Sequence, residues 1–126
     1  MSRLTRNPRR DANEPAIVQA LERLGFSVQR LSATGCPDLA IGKQGITRLA
    51  EVKSGRQPLR PTQAGWWLHW QGGSLLVIRD IEEAAIVAHH WGTSDAPLCE
   101  ALFRHRAARL LNAHNRPLVG RPETQG

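Results

Sequence analysis

Cysteine is almost missing from this chain. Cys36 and Cys99 are the only two. They fit neither a disulfide framework nor a zinc-ligand spacing, so a reducing compartment is the default expectation. Long apolar runs are missing as well. Stretches such as Leu75–Ile78 and Ala84–Ala88 fall far short of the roughly 18 residues a membrane span needs. No apolar segment follows the basic opening residues, so neither a secretory signal nor a membrane partner is expected. Internal repeats and low-complexity tracts are absent too. Acids are outnumbered, with eleven Asp and Glu against seventeen Lys and Arg, for a net charge of +6. Lysine is scarce, because Lys43 and Lys53 are the only two and the other fifteen cations are arginines.

What is present is globular in composition. The chain has 126 residues, 40% of them apolar and 22% charged, which excludes a disordered polyelectrolyte. It lies well below the roughly 250 residues at which single cores split. The arginine excess points to a polyanion partner, for which guanidinium forks suit phosphates. DNA or RNA is the commonest such partner, and a small basic protein that binds no nucleic acid is the alternative. Residues 1–10, with Arg3, Arg6, Arg9 and Arg10 and no acid, read as a basic flexible arm. Arg9 and Arg10 are its candidate DNA contacts, against a merely solvated tail.

The hydrophobic periods predict an element order of helix, three strands, helix, strand, helix. Asp11 or Asn13 is placed to cap the first helix, with Pro15 in its first turn and Gly25 at its end. Ile17, Leu21 and Leu24 recur on one face, with Ala20 beside them. Phe26–Leu31, Leu39–Ile41 and Thr47–Lys53 read as strands, the last two joined by a turn at Gly42–Gly45. Gly55–Pro61 reads as a loop. A tryptophan-rich helix runs from Pro61 or Thr62 through Gln71, stopped by Gly72 and Gly73. Ser74–Ile78 is apolar throughout and reads as a central, buried strand. Asp80 caps a third helix that reaches about His90. A strand–helix–strand crossover requires a parallel pair in a mixed sheet. The expected domain spans 11–91, followed by 92–126 with a helix over Pro97–Asn115 and a disordered end from Pro117.

One segment departs from a bland core. Asp38 stands at the mouth of a strand, and Glu51-Val52-Lys53 sets two opposite charges in an otherwise apolar strand. Alternation points Glu51 and Lys53 to one face and Val52 to the other. Such charges are costly unless paired or metal-bound. If the strands of Asp38 and Glu51 are hairpin neighbours, the carboxylates converge. Two carboxylates and a backbone carbonyl make a hard oxygen site suited to Mg²⁺ or Mn²⁺. The alternative is a surface-facing pair on a half-exposed strand.

Pro37-Asp38…Glu51-Val52-Lys53 resembles the motif of the PD-(D/E)xK nucleases. Glu14 on the first helix, Pro61-Thr62-Gln63 opening the next, and the Gly-Gly-strand-helix stretch make it similar to the VRR-NUC branch and the archaeal-type Holliday junction resolvases. The resemblance covers about Asp11 to His90. It implies an α/β fold with a mixed α+β sheet, namely a restriction-endonuclease-like core ordered α-β-β-β-α-β-α with an extra C-terminal helix. It also implies Mg²⁺, with Mn²⁺ as substitute, bound by Asp38, Glu51 and the Val52 carbonyl, with Glu14 holding a metal-bound water or second ion. Lys53 would orient the attacking water and offset charge on the scissile phosphate. Gln63 would support Lys53 or the water. The activity implied is phosphodiester hydrolysis by a DNA endonuclease selective for branched DNA such as Holliday junctions, acting as a homodimer in a bacterial or phage-like cytoplasm near the nucleoid. A nicking or processing nuclease without junction preference and a non-catalytic DNA-binding module are the alternatives. An RNA-binding or small interaction protein is a third.

Further residues are weighed beside these. Arg56 and Arg60 flank the motif and are candidate DNA-backbone contacts. Thr34-Gly35 offers hydroxyl and N–H groups to a phosphate, or is only a turn. Trp66, Trp67 and Trp70 read mainly as packing on the sheet, with base stacking as the functional option. Cys36 reads as a small buried filler. His89 and His90 point in different directions on a helix and are not expected to share a metal.

Overall fold

The computed structural model describes residues 12–73 and 75–119, with side chains through Asn112. The basic arm with Arg9 and Arg10, the cap candidate Asp11, Ser74 and the last seven residues lie outside the described residues. The chain divides into two compact units, Met1–Gly92 and Thr93–Gly126. The first contains helices α1 (Glu14–Arg23), α2 (Pro61–His69) and α3 (Ile81–His89) with strands β1 (Ser27–Arg30), β2 (Leu39–Lys43), β3 (Ile46–Val52) and β4 (Leu75–Ile78). The second contains α4 (Asp95–Val119). None of the described helices is long and apolar enough to cross a membrane.

The sheet is mixed, in the order β1-β2-β3-β4. The first three strands are antiparallel, and β4 runs parallel to β3 after the α2 crossover. A two-residue turn, Gln44-Gly45, joins β2 to β3 with both φ angles positive, 55° and 79°. This primed geometry matches strand twist, and it fixes Leu39 opposite Ala50. Register then sorts the faces. Leu39 and Ile41 on β2, Ala50 and Val52 on β3, and Leu76 and Ile78 on β4 share one face and are buried. The apolar face of α1 (Ile17, Val18, Leu21) and of α3 (Ala84, Val87) is buried too. Glu51 and Lys53 point to the opposite face.

Several expectations need correction. β4 is an edge strand, not a central one: its burial alternates between half-buried and buried residues. An apolar run does not distinguish burial on two faces from burial on one face under a covering helix. Helix α2 ends at His69, two residues before Gln71, because Trp70 turns to extended backbone (ψ 126°). Its ring stacks on Trp66 at 4.9 Å and its Nε1 donates to the Gly73 carbonyl at 3.0 Å. Gly72 lies so close that an added Cβ would meet the Trp70 ring at 2.6 Å. Trp66 and Trp67 are half-buried and Trp70 is 40% exposed. Among α2 residues only Gln63 is buried.

Asn13 precedes α1, but its side chain makes no cap bond, because its amide is engaged by two strand ends instead. Cys36 is half-buried rather than a buried filler, and its thiol donates to the Pro37 carbonyl at 3.3 Å. Helix α4 passes Pro117 and reaches Val119. A proline withdraws one backbone donor there and leaves those of the following residues. The Asp80 cap is present, with its carboxylate accepting from Glu83 N–H at 2.8 Å.

Candidate active site

The site forms where β2 begins and β3 ends. One step beyond the Leu39–Ala50 pair, Asp38 comes opposite Glu51. Asp38 Oδ2 accepts the Val52 N–H at 2.8 Å, so its carboxylate continues the ladder where the β2 backbone has turned away. The N–H and C=O of one strand residue point to the same neighbour. The Val52 carbonyl therefore lies on the Asp38 side of β3. The backbone of β3 continues on its other side, where Lys53 N–H donates to the Ile78 carbonyl at 3.2 Å.

Glu51 is 2% exposed and Lys53 4%. Lys53 Nζ lies 3.5 Å from Glu51 Oε2 and donates to Gln63 Oε1 at 3.0 Å. Gln63 Nε2 donates to Glu51 Oε2 at 2.5 Å. Gln63 Oε1 also accepts the Arg60 N–H at 2.8 Å, opening α2. One amide thus joins the helix start, the acid and the base. Gln63 sits here because Pro61 starts the helix in its first turn and places residue 63 over the strand face opposite the α1 side.

The other oxygen, Glu51 Oε1, is buried and has no hydrogen-bond partner. Burial, and secondly the Asp38 carboxylate, push the Glu51 pKa up from 4.5 to about 7, against the opposing pull of Lys53 and Gln63. A buried carboxylate with one bare oxygen, facing a second carboxylate and a carbonyl edge, is a donor set of hard oxygens. It fits a small divalent cation such as Mg²⁺. The alternative of a surface-facing charge pair does not hold for side chains this buried.

Glu14 begins α1 and is 2% exposed. Its Oε2 accepts from Arg30 Nε at 3.0 Å. The preceding residue, Asn13, donates to the Lys53 carbonyl at 3.3 Å. The start of α1 therefore runs from the end of β3 to the end of β1, and in the sheet order the start of β2, with Asp38, lies between those two anchors. Arg30 was missed as a site residue. It stands in phase with Val28 on β1 and opposite Leu39, with its side chain half exposed, and it is the buried Glu14 carboxylate that requires the cation. The cost of buried charge, which singles out Glu51 and Lys53, gives no such signal for a half-exposed arginine.

The remaining candidates are less integrated. Arg56 is exposed and Arg60 half-buried, in the segment between β3 and α2. Thr34 is exposed. Gly35 has φ +81°, and a Cβ there would come within 3.0 Å of the Thr62 carbonyl, so close approach to α2 accounts for that glycine without a phosphate role. His89 and His90 contact each other edge to face at 4.8 Å. No family model, no curated protein and no solved structure matches this chain.

Proposed function

We propose that this protein is a metal-dependent DNA endonuclease of the PD-(D/E)xK type, selective for branched DNA. The observation that carries the reading is the bare, buried Glu51 Oε1 beside Asp38, with Lys53 held on the same face by Gln63. A purely structural ion pair does not need a second carboxylate next to it, which only worsens the charge balance.

Asp38, Glu51 and the Val52 carbonyl would hold Mg²⁺, or Mn²⁺ in its place, with Glu14 holding a bound water or a second ion. The ion would supply Lewis acidity and lower the pKa of an attacking water. Gln63 fixes Lys53 Nζ within 3.5 Å of Glu51. From there the ammonium orients the water and offsets charge that builds on the phosphate. Water attacks phosphorus, the phosphorus–oxygen bond to the leaving strand breaks, and the leaving oxygen takes a proton, so no covalent enzyme intermediate is required. Arg30, Arg56 and Arg60 supply cations for flanking phosphates, and the exposed Thr34 offers its hydroxyl to one. With one such set per chain, symmetric cutting of a four-way junction calls for a homodimer. Phe103, Leu110 and Leu111 on α4 are exposed apolar residues of the kind such an assembly covers.

A panel of linear, flap, fork and four-way DNAs with Mg²⁺ or Mn²⁺ tests the reading. Cleavage is expected on the branched members, and its loss in Glu51→Gln and in Lys53→Ala. The Lys53 loss should amount to about 10²–10⁴-fold in rate. A Lys53→Ala enzyme within about tenfold of wild type removes Lys53 from the chemistry. Failure to cut any DNA with either ion defeats the reading.

A further inference from the structure

A second hydrogen-bond network, at the C-terminal ends of β3 and β4, takes no part in the chemistry above. Asn13 Nδ2 donates to the carbonyls of Lys53 at 3.3 Å and Arg79 at 3.0 Å, while Asn13 Oδ1 accepts from Ser54 Oγ at 3.2 Å. Arg79 Nη1 donates to the carbonyls of Gly55 at 3.0 Å and Gln57 at 2.9 Å. These bonds converge on one segment, residues 54–60. That segment leaves Lys53 and ends at Arg60, whose N–H meets the same Gln63 oxygen that receives Lys53 Nζ. Both of its ends are thus tied to the candidate site, and Arg56 is exposed within it.

The segment has little to hold its shape by itself. Gln57 N–H returns to the Ser54 carbonyl at 3.1 Å and Gln57 Oε1 accepts the Ser54 N–H at 3.4 Å, closing one turn. Gly55 adopts φ +54°, a conformation that glycine reaches without steric cost. Arg79 is well placed to supply the missing order. Its own N–H donates to Glu83 Oε1 at 3.0 Å, and its carbonyl is held by Asn13. The side chain therefore springs from a backbone fixed on both sides. Both bonds leave from Nη1, whose two N–H groups are held in one plane and lie one bond further from the backbone than a lysine ammonium reaches.

We propose that Arg79 is a positioning residue for DNA binding: its guanidinium, with Asn13 at the base, sets the 54–60 segment as a preformed wall of the site that presents Arg56 to a DNA phosphate. The inference rests on the nuclease reading. Pre-ordering removes an entropy cost from binding, and it acts on bound DNA and transition state alike. Its loss therefore raises KM and spares kcat.

The test uses the full-length Arg79→Ala and Arg79→Lys proteins. Mg²⁺-dependent cleavage of a labelled four-way DNA gives kcat and KM, amide hydrogen exchange reads the 54–60 segment, and calorimetry reads Mg²⁺ binding. In Arg79→Ala, KM is expected to rise about tenfold, the worth of two hydrogen bonds, with kcat within about threefold of wild type. Exchange should accelerate in 54–60 and Mg²⁺ affinity should stay as it was. Arg79→Lys keeps the charge and most of the stem, and is expected to show the same exchange and most of the KM rise. An unchanged KM, a fall in kcat at constant KM, or wild-type exchange in 54–60 overturns the proposal. So does full recovery of KM in the lysine variant while exchange in 54–60 stays accelerated, which would leave charge alone as the cause. If Arg79→Ala does not fold, Arg79→Lys decides the question. Absence of cleavage by the wild type defeats the nuclease reading instead, and the exchange measurement still reports whether Arg79 orders the segment.

Discussion

Glu51 carries the sharpest physical tension in the molecule. It is buried, it faces Asp38, and its pKa stands near 7 instead of 4.5. Without metal, the folded state therefore holds a proton that the unfolded chain releases at lower pH. Wherever the folded state binds more protons, stability falls as pH rises. The contribution of Glu51 is thus fully present below about pH 4.5 and is lost progressively as pH climbs through 7. At full ionisation the difference is on the order of 3 kcal/mol. A divalent ion offsets it by taking the bare oxygen. The expected outcome is a melting temperature for metal-free protein that drops between pH 5 and 8 more steeply than that of Glu51→Gln. Added Mg²⁺ should raise the wild-type value more at pH 8 than at pH 6 and leave Glu51→Gln nearly unmoved. Parallel pH slopes in the two proteins, or equal Mg²⁺ effects, would show that Glu51 is neither strained nor a ligand. Glu51 and Lys53 are legible in the sequence because burying charge has a cost that alternation exposes, Asp38 because the hairpin brings it beside them, and Gln63 only through the nuclease resemblance. Arg30 carries no such signal, because its side chain is half exposed and its partner acid, Glu14, lies on another element. Asn13 resembled an ordinary helix cap, and nothing local distinguishes a cap from an amide that bridges two strand ends.

At the scale of elements, the α1–β1–β2–β3 half was legible because each boundary carries its own chemistry: Gly25 ends α1 with φ +97°, and Gln44-Gly45 makes the hairpin turn. The crossover half was less so. The apolar run of β4 suits an edge strand as well as a central one, and α2 departs from an amphipathic pattern because its one buried residue, Gln63, is polar. What seats α2 is contact at its first turns, Gln63 on the strand face and Thr62 against Gly35. The conformation of Gly35 is therefore a condition for the site. Gly35→Ala sets a Cβ 3.0 Å from a backbone carbonyl, on a residue with φ +81°. It is expected to cost about 1–3 kcal/mol. The strain falls between Asp38 and the helix that holds Lys53, so cleavage should fall by more than the stability loss explains at a temperature where the variant remains folded. Urea unfolding and single-turnover cleavage on the same preparation check both halves of that expectation. A variant as stable as wild type would mean the 35–62 contact relaxes freely and does not position the helix.

At the scale of the whole molecule, charge and copy number set the expectations. A net charge of +6, carried almost wholly by arginine, favours a phosphate backbone with no preference for sequence. Under the proposed function, selection would then have to come from the shape of the DNA. A four-way junction has two strands to cut, and each chain brings one set of Asp38, Glu51 and Lys53. Under the same proposal, a two-fold dimer that matches the symmetry of the junction would supply the second set. Copy number is open to a kinetic test that leaves the fold untouched. Glu51→Gln changes little volume, so wild-type and variant protomers should mix freely. In a mixture with variant in excess, most wild-type chains sit in dimers with one working site. Such dimers nick one strand of the junction and stall, so nicked junctions should accumulate at the expense of resolved duplexes as the variant fraction rises. The nicked share should follow the binomial fraction of mixed dimers, and light scattering at micromolar protein should return twice the chain mass of 14.0 kDa. If monomers act independently, dilution with variant slows the reaction without changing the ratio of nicked to resolved product. A monomeric mass together with that constant ratio would assign the protein to nicking, and the paired-cut mechanism would be lost.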